Sequence, residues 1–155
     1  MGMKKRGFGK DKYNGFGGKV EGGETSAEAA LRELQEEAGI TAPLQHSGAM
    51  LFVSEGVEAA FHIDYYAAST YEGAITETEE MRPEWFAVPN QYASGDANHS
   101  ATLPAIPFDR MWEADKIWFP LFLSRKKFNG RVDFRLDESG QHRLQRWWFG
   151  TLAES

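Results

Sequence analysis

A glycine-rich approach runs straight into a helix with both ends marked, and this pairing limits the fold more than any other feature. Residues 18 to 40 read Gly-Lys-Val-Glu-Gly-Gly-Glu-Thr-Ser-Ala-Glu-Ala-Ala-Leu-Arg-Glu-Leu-Gln-Glu-Glu-Ala-Gly-Ile. Thr25 is a favourable N-cap, and Glu28 three residues later completes a capping box. Gly39 falls where a left-handed residue ends a helix. Between them lie Ala, Leu, Glu, Gln and Arg, all strong helix formers. Helical periodicity puts Ala27, Ala30, Leu31, Leu34 and Ala38 on one stripe, expected to pack on a sheet. Glu33, Glu36 and Glu37 share a separate face at spacings i, i+3 and i+4.

Three neighbouring carboxylates repel, at a cost of a few tenths of a kcal/mol per like-charged pair. A bound dication reverses that sign, and Mg²⁺ commonly binds through a few carboxylates plus substrate phosphates. An arbitrary E-x-x-E-E is ordinarily a solvated acidic face. Here, however, Gly18, Glu24, Arg32, Glu33, Leu34, Glu36, Glu37, Gly39 and Ile40 fit the pattern G-x5-E-x7-R-E-U-x-E-E-x-G-U, with U apolar. The segment thus resembles the Nudix box. The resemblance implies an α+β Nudix fold, a mixed β-sheet sandwiched between helices. It also implies hydrolysis of a nucleoside diphosphate linked to another moiety, with Mg²⁺ as cofactor and Mn²⁺ able to substitute. By the same match Glu33, Glu36 and Glu37 are metal ligands, Arg32 orients a glutamate, and Glu24 is structural.

The 155 residues suit one domain spanning the whole chain, and a 41% apolar content supports a core. The net charge of −6 argues against nucleic-acid binding through a basic surface. With no cysteine there is no disulfide, thiolate site or Cys nucleophile. His46, His62, His99 and His142 lack zinc-like spacing. No apolar run reaches membrane-spanning length, and residues 1–12 are basic without the apolar core of a signal peptide. A monomer is expected, cytoplasmic, with nuclear and mitochondrial fractions left open.

Strands are expected at 50–53 and within 57–68, forming a hairpin that turns near Ser54-Glu55-Gly56, and at 85–88. Residues 89–105 read as a mobile loop insertion. A second helix is expected from about 113–115 to 125, with Pro120 allowing a kink. Strands at 127–136 and 141–148 flank an Asp137-Glu138-Ser139-Gly140 turn.

Outside the box, Met3-Lys4-Lys5-Arg6-Gly7-Phe8-Gly9 and Tyr13-Asn14-Gly15-Phe16-Gly17-Gly18-Lys19 resemble the oxidised-purine nucleoside triphosphatase branch, the MutT homologues of eukaryotes. So do Glu80-Met81-Arg82-Pro83, Met111-Trp112 with Asp115, Trp118-Phe119-Pro120 and Lys126-Lys127-Phe128. That branch converts 8-oxo-dGTP, 2-hydroxy-dATP and related triphosphates to monophosphate and pyrophosphate, cleansing the nucleotide pool. The resemblance implies substrate contacts at Lys4, Phe8, Asn14, Phe16, Gly17, Gly18, Lys19, Phe52, Trp112 and Asp115. Asn14 offers amide donors and an acceptor to a purine edge. Asp115 can accept from base N–H groups, and Trp112 and Phe52 can stack. Gly17, Gly18 and Lys19 bring backbone close to phosphate or metal, Gly17 as a further metal ligand. Glu80 matches a glutamate near the metal. The residue that orients or deprotonates water is Glu33, Glu37 or Glu80. Trp118, among apolar neighbours, reads as core.

Three departures qualify this picture. The family's N-terminal strand is expected to be missing, which would expose a sheet edge or leave a core gap. Ala114 stands where the branch has a second aspartate beside Asp115, so base choice should narrow away from 2-hydroxyadenine. The 89–105 loop exceeds the family connector. Other Nudix substrates, or nucleotide binding without catalysis, remain as alternative readings.

Overall fold

The computed structural model describes residues 1–92 and 102–151. Along the described residues the strands are β1 (Gly2–Lys4), β2 (Tyr13–Asn14), β3 (Ile40–Thr41), β4 (Gln45–Ser54), β5 (Phe61–Ala67), β6 (Glu72–Gly73), β7 (Met81–Pro83), β8 (Phe128–Leu136) and β9 (His142–Thr151). The α-helices are α1 (Ser26–Ala38) and α2 (Asp115–Leu123). They fall into two units, Met1–Leu44 with Ala68–Trp112, and Gln45–Ala67 with Glu113–Ser155.

In the first unit β1 is the middle strand of an antiparallel sheet ordered β2-β1-β7, and β3 pairs with β6. Both ends of α1 are closed as the sequence predicts. The Thr25 side chain accepts from Glu28 N, the Glu28 carboxylate accepts from Thr25 N at 2.7 Å, and Gly39 is left-handed at φ 73°. The expected apolar stripe is only partly used. Ala38 is buried, but Ala27 and Leu31 are exposed, and the other buried positions are Ala29 and Glu37. The unit covers the helix on its carboxylate flank. Thr76 N donates to Ala38 O at 2.9 Å, and Gly17 N donates to the Glu37 side chain.

The expected strand at 85–88 does not form. A single parallel bridge joins Ala87 to Ala105, where Ala87 N donates to Pro104 O. Pro83 and Pro89 flank the segment, and neither can donate to a ladder. Within the 89–105 insertion, Asn90–Tyr92 make a 3₁₀ turn, and 93–101 lie outside the described residues.

The second unit is a four-stranded mixed sheet, β5-β4-β8-β9. β4 and β5 form the expected hairpin, β4 runs parallel to β8, and β8 and β9 are antiparallel with an irregularity at Asp133/Phe134. The β8–β9 turn is held by Asp137, whose carboxylate accepts from Ser139 N and Gln141 N, both at 2.9 Å. Alternation along the strands sends Met50, Phe128 and Val132 inward, where they form a core with Ala114 and Trp118.

Packing is tight where β4 meets β8. A Cβ on Gly48 would sit 2.4 Å from Phe128 O and 2.8 Å from its ring. Neither neighbour can yield, because one is ladder backbone and the other is fully buried. Gly48→Ala is expected to lower stability by about 3 kcal/mol, the upper end of ordinary overpacking. A lowered urea midpoint with unchanged slope would register this.

Candidate functional site

The carboxylates of the first unit are arranged around Arg32. Its guanidinium grips Glu24 with two bonds, Nη2 to Oε1 at 2.9 Å and Nε to Oε2 at 3.2 Å. The same group donates to Glu33 Oε1 at 2.8 Å, Glu36 Oε2 at 3.3 Å and Lys19 O at 3.2 Å. A planar fork with five N–H donors is what such divergent partners require. Glu24 also accepts from Glu21 N, and its carboxyl is held below the usual range, first by Arg32 and then by that backbone bond. Its role is therefore to tie the glycine-rich loop to α1.

Glu37 lies on the next turn and is 4% exposed. Its Oε2 accepts from Gly17 N at 2.9 Å, and its Oε1 lies 3.9 Å from Lys4 Nζ. Burial pushes its pKa up, and the charges of Glu33 and Glu80 add to the rise. Gly17 N–H and Lys4 oppose it without cancelling it. Glu80 is paired with Arg6, which holds its carboxyl below the usual range. Thr78 positions that corner, its hydroxyl accepting from Glu80 N and Met81 N. Gly18 approaches Glu33 so closely that a Cβ there would lie 2.2 Å from Glu33 Oε1.

A second group in the same unit is aromatic. Phe8, 87% exposed, stacks on Trp112 with centroids 4.9 Å apart and planes at 23°. The Lys12 ammonium sits 5.1 Å from the Trp112 ring. Gly9, at φ 81°, lets the loop pass this indole, since a Cβ would stand 3.0 Å from it. Asn14 is exposed on β2, and Phe16 is half-buried against Gly2.

In the second unit Asp115 begins α2 and is buried, its Oδ1 accepting from Trp118 Nε1 at 2.9 Å. Trp118 is core, packed on Tyr65 and Phe128. Burial and the Asp115 charge push the Tyr65 phenol up. Phe52 stacks on Phe134 at 6.4 Å, so its ring already serves the packing of its own unit.

Apart from Asn14 and Phe16, the predicted residues sort into three sets. Lys4, Gly17, Gly18, Arg32, Glu33, Glu37 and Glu80 converge, with Lys19 contributing its carbonyl. Glu36 bonds Arg32 but is 59% exposed. Phe8 and Trp112 form the aromatic pair, while Phe52 and Asp115 belong to the second unit. The sequence does not mark Arg6 and Thr78 as site residues: Arg6 carries no signal of its own, and Thr78 lies in an acidic run that hides it.

Among the described residues no three acidic or histidine side chains converge tightly enough to cage an ion as placed. The donor set nevertheless suits a hard dication, because it offers only oxygens. Glu33, Glu37 and Glu80 also lie close enough to raise the proton affinity of the buried member. No helix among the described residues is long and apolar enough to cross a membrane.

Comparison with known proteins adds four findings. The model of the NUDIX domain matches residues 3–106. The oxidized purine nucleoside triphosphate hydrolase of Danio rerio is 43% identical over 136 residues, covering 87% of this chain and 78% of that protein. The enzyme of the same name from Mus musculus is 41% identical over the same length and coverage. A crystal structure of the mutator MutT protein from Bacillus halodurans superposes with a TM-score of 0.60 at 25% identity, covering 86% of this chain and 79% of that one.

Proposed function

The chain belongs to the Nudix hydrolase family, and from that membership we propose that it hydrolyses oxidised purine nucleoside triphosphates to monophosphate and pyrophosphate. The observation that carries this reading is the 136-residue match to two hydrolases named for that substrate class. The site geometry supports it, because a buried carboxylate, a backbone N–H and a lysine meet at Glu37.

Mg²⁺, with Mn²⁺ able to replace it, would be held by Glu33, Glu36, Glu37, Glu80 and the Gly17 backbone. When bound it neutralises phosphate charge and makes a water more acidic. The chain's own residues do the rest. Glu37, whose proton affinity is raised, is suited to accept a proton from the attacking water. Arg32 fixes the Glu33 carboxylate, and Arg6 fixes that of Glu80. Lys4 and Lys19 meet phosphate, with Gly17 and Gly18 giving it close backbone. Within the first unit Trp112 and Phe8 offer rings to the purine, assisted by Phe16, and Asn14 reads its edge. Ala114 is buried in the core and carries no carboxylate, so 8-oxo-dGTP should be favoured over 2-hydroxy-dATP. The reading includes a monomer acting in the cytoplasm.

The test is pyrophosphate release from 8-oxo-dGTP, dGTP, 2-hydroxy-dATP and ADP-ribose with Mg²⁺. The highest kcat/KM is expected for 8-oxo-dGTP. A folded chain that turns over none of the triphosphates, or prefers ADP-ribose, would overturn the reading. Arg32→Lys keeps the charge but cannot make the five bonds, so kcat/KM should fall about tenfold, as for loss of an outer-shell partner. Stopped assays at saturating Mg²⁺ measure it.

A further inference from the structure

The acidic character of the chain is not evenly spread. Residues 125–151 carry seven Lys/Arg and three Asp/Glu, a local net of +4 in a chain whose net charge is −6. The acidic average therefore does not describe this segment, which builds β8 and β9.

Register puts Arg131 directly opposite Trp148, and Asp133 opposite Arg146. Strand alternation places these four on one face of the sheet. Trp148 is 56% exposed, an unusual state for a side chain that is highly buried on average. Trp147 is also half exposed and stacks on Phe149 at 5.5 Å. A hollow of about 420 Å³ is lined by Arg131, Asp133, Arg146, Trp147 and Trp148. A neighbouring hollow shares Arg131 and Asp133 with it and extends the surface to Arg135. Asp133 is engaged by Arg131 Nε at 2.7 Å, which mutes its charge. Among the described residues Arg135 and Arg146 make no ion pair.

We propose that this β8–β9 surface binds single-stranded nucleic acid, with a base stacked on Trp148 and phosphates met by Arg131, Arg135 and Arg146. Exposed aromatic rings interleaved with arginines are the requirement for holding a strand whose bases present open faces. A duplex hides those faces, and an acidic peptide would use the arginines but leave the indole idle.

The experiment is fluorescence anisotropy of the full chain with an internally labelled twelve-nucleotide oligothymidine at two salt concentrations. Binding is expected, weaker at the higher salt. Trp148→Ala should weaken it about tenfold, and Trp148→Phe should keep most of it. Arg146→Ala should also weaken binding and lower the salt slope by about one. Circular dichroism and pyrophosphate release should be unchanged in all three variants. Five results would overturn the proposal: no binding by the folded chain; affinity insensitive to Trp148→Ala; equal affinity for thymidine monophosphate, which marks a mononucleotide site; equal competition by polyglutamate, which marks charge alone; and displacement by excess 8-oxo-dGMP, which places the strand in the hydrolase site.

Discussion

Replacing Glu37 by Gln is expected to lower kcat/KM for 8-oxo-dGTP by about 10³-fold while raising the melting temperature of the metal-free protein at pH 7. The activity loss is in the range for removing a positioned proton acceptor. The stability gain follows from the buried site. Burial, helped by Glu33 and Glu80, raises the pKa of the folded carboxyl, so its charged form is disfavoured in the fold. The unfolded chain loses this proton near the ordinary glutamate value of about 4.3. Above that pH the unfolded state gains from ionisation before the folded state does, so this group subtracts stability as pH rises, fully once pH exceeds the folded pKa. Gln keeps the shape and can still accept from Gly17 N, but it has no proton to lose. The two melting temperatures should therefore converge below pH 4 and separate towards neutrality. Added Mg²⁺ should raise the wild-type melting temperature more than that of the variant. A variant that melts lower than wild type at pH 7 without metal would show the carboxylate to be structural.

The second large effect is expected at Gly18. An alanine methyl would overlap Glu33, 2.2 Å from Oε1 and 2.5 Å from the carboxyl carbon. The atoms in its way are the end of a flexible side chain, so Glu33 can swing aside cheaply. Doing so pulls it from Arg32 and from its place beside Glu37 and Glu80. A displacement of about 1 Å in a positioning group can cost about 10²-fold in rate. Gly18→Ala should therefore lose about 10² in kcat/KM with little change in melting temperature. Gly48→Ala should do the opposite, because its obstacle is backbone. Measuring turnover and melting on both variants separates the two glycine roles.

The local signals legible in the sequence were those whose cause is local. The capping box at Thr25 and the left-handed end at Gly39 depend on residues a few places apart, and both stand as expected. The β4–β5 hairpin and the β8–β9 pair were readable from alternation and the Asp137 turn. What could not be read depends on distant partners. The short strands β1, β2, β3, β6 and β7 have two or three residues each, too few for any period. The apolar stripe of α1 misled because periodicity reports a face and not what lies against it; the flank covered within its unit carries Arg32, Glu33 and Glu37. The spacing of the glutamates was legible, yet their different electrostatics were not. Those come from the burial of Glu37, which Lys4 only partly opposes, and from Arg6 beside Glu80, contacts that span 33 and 74 positions in the chain.

Many of the ties that shape the loop and helix from residue 19 to 39 begin and end inside that stretch, while Glu37 and Ala38 are held from outside it by Gly17 and Thr76. Thr25 bonds Glu28, Glu21 bonds Glu24, Arg32 bonds Glu24 and Lys19 O, and Gly39 N closes on Gln35 O. Such a stretch behaves as a portable cassette. It is too short to hold as a free peptide, where helices under about 12–15 residues are marginal. Set into a scaffold that covers one flank, it brings its own punctuation and its own staple. Sequence around it can then drift towards new substrates while the chemistry at its centre keeps its shape.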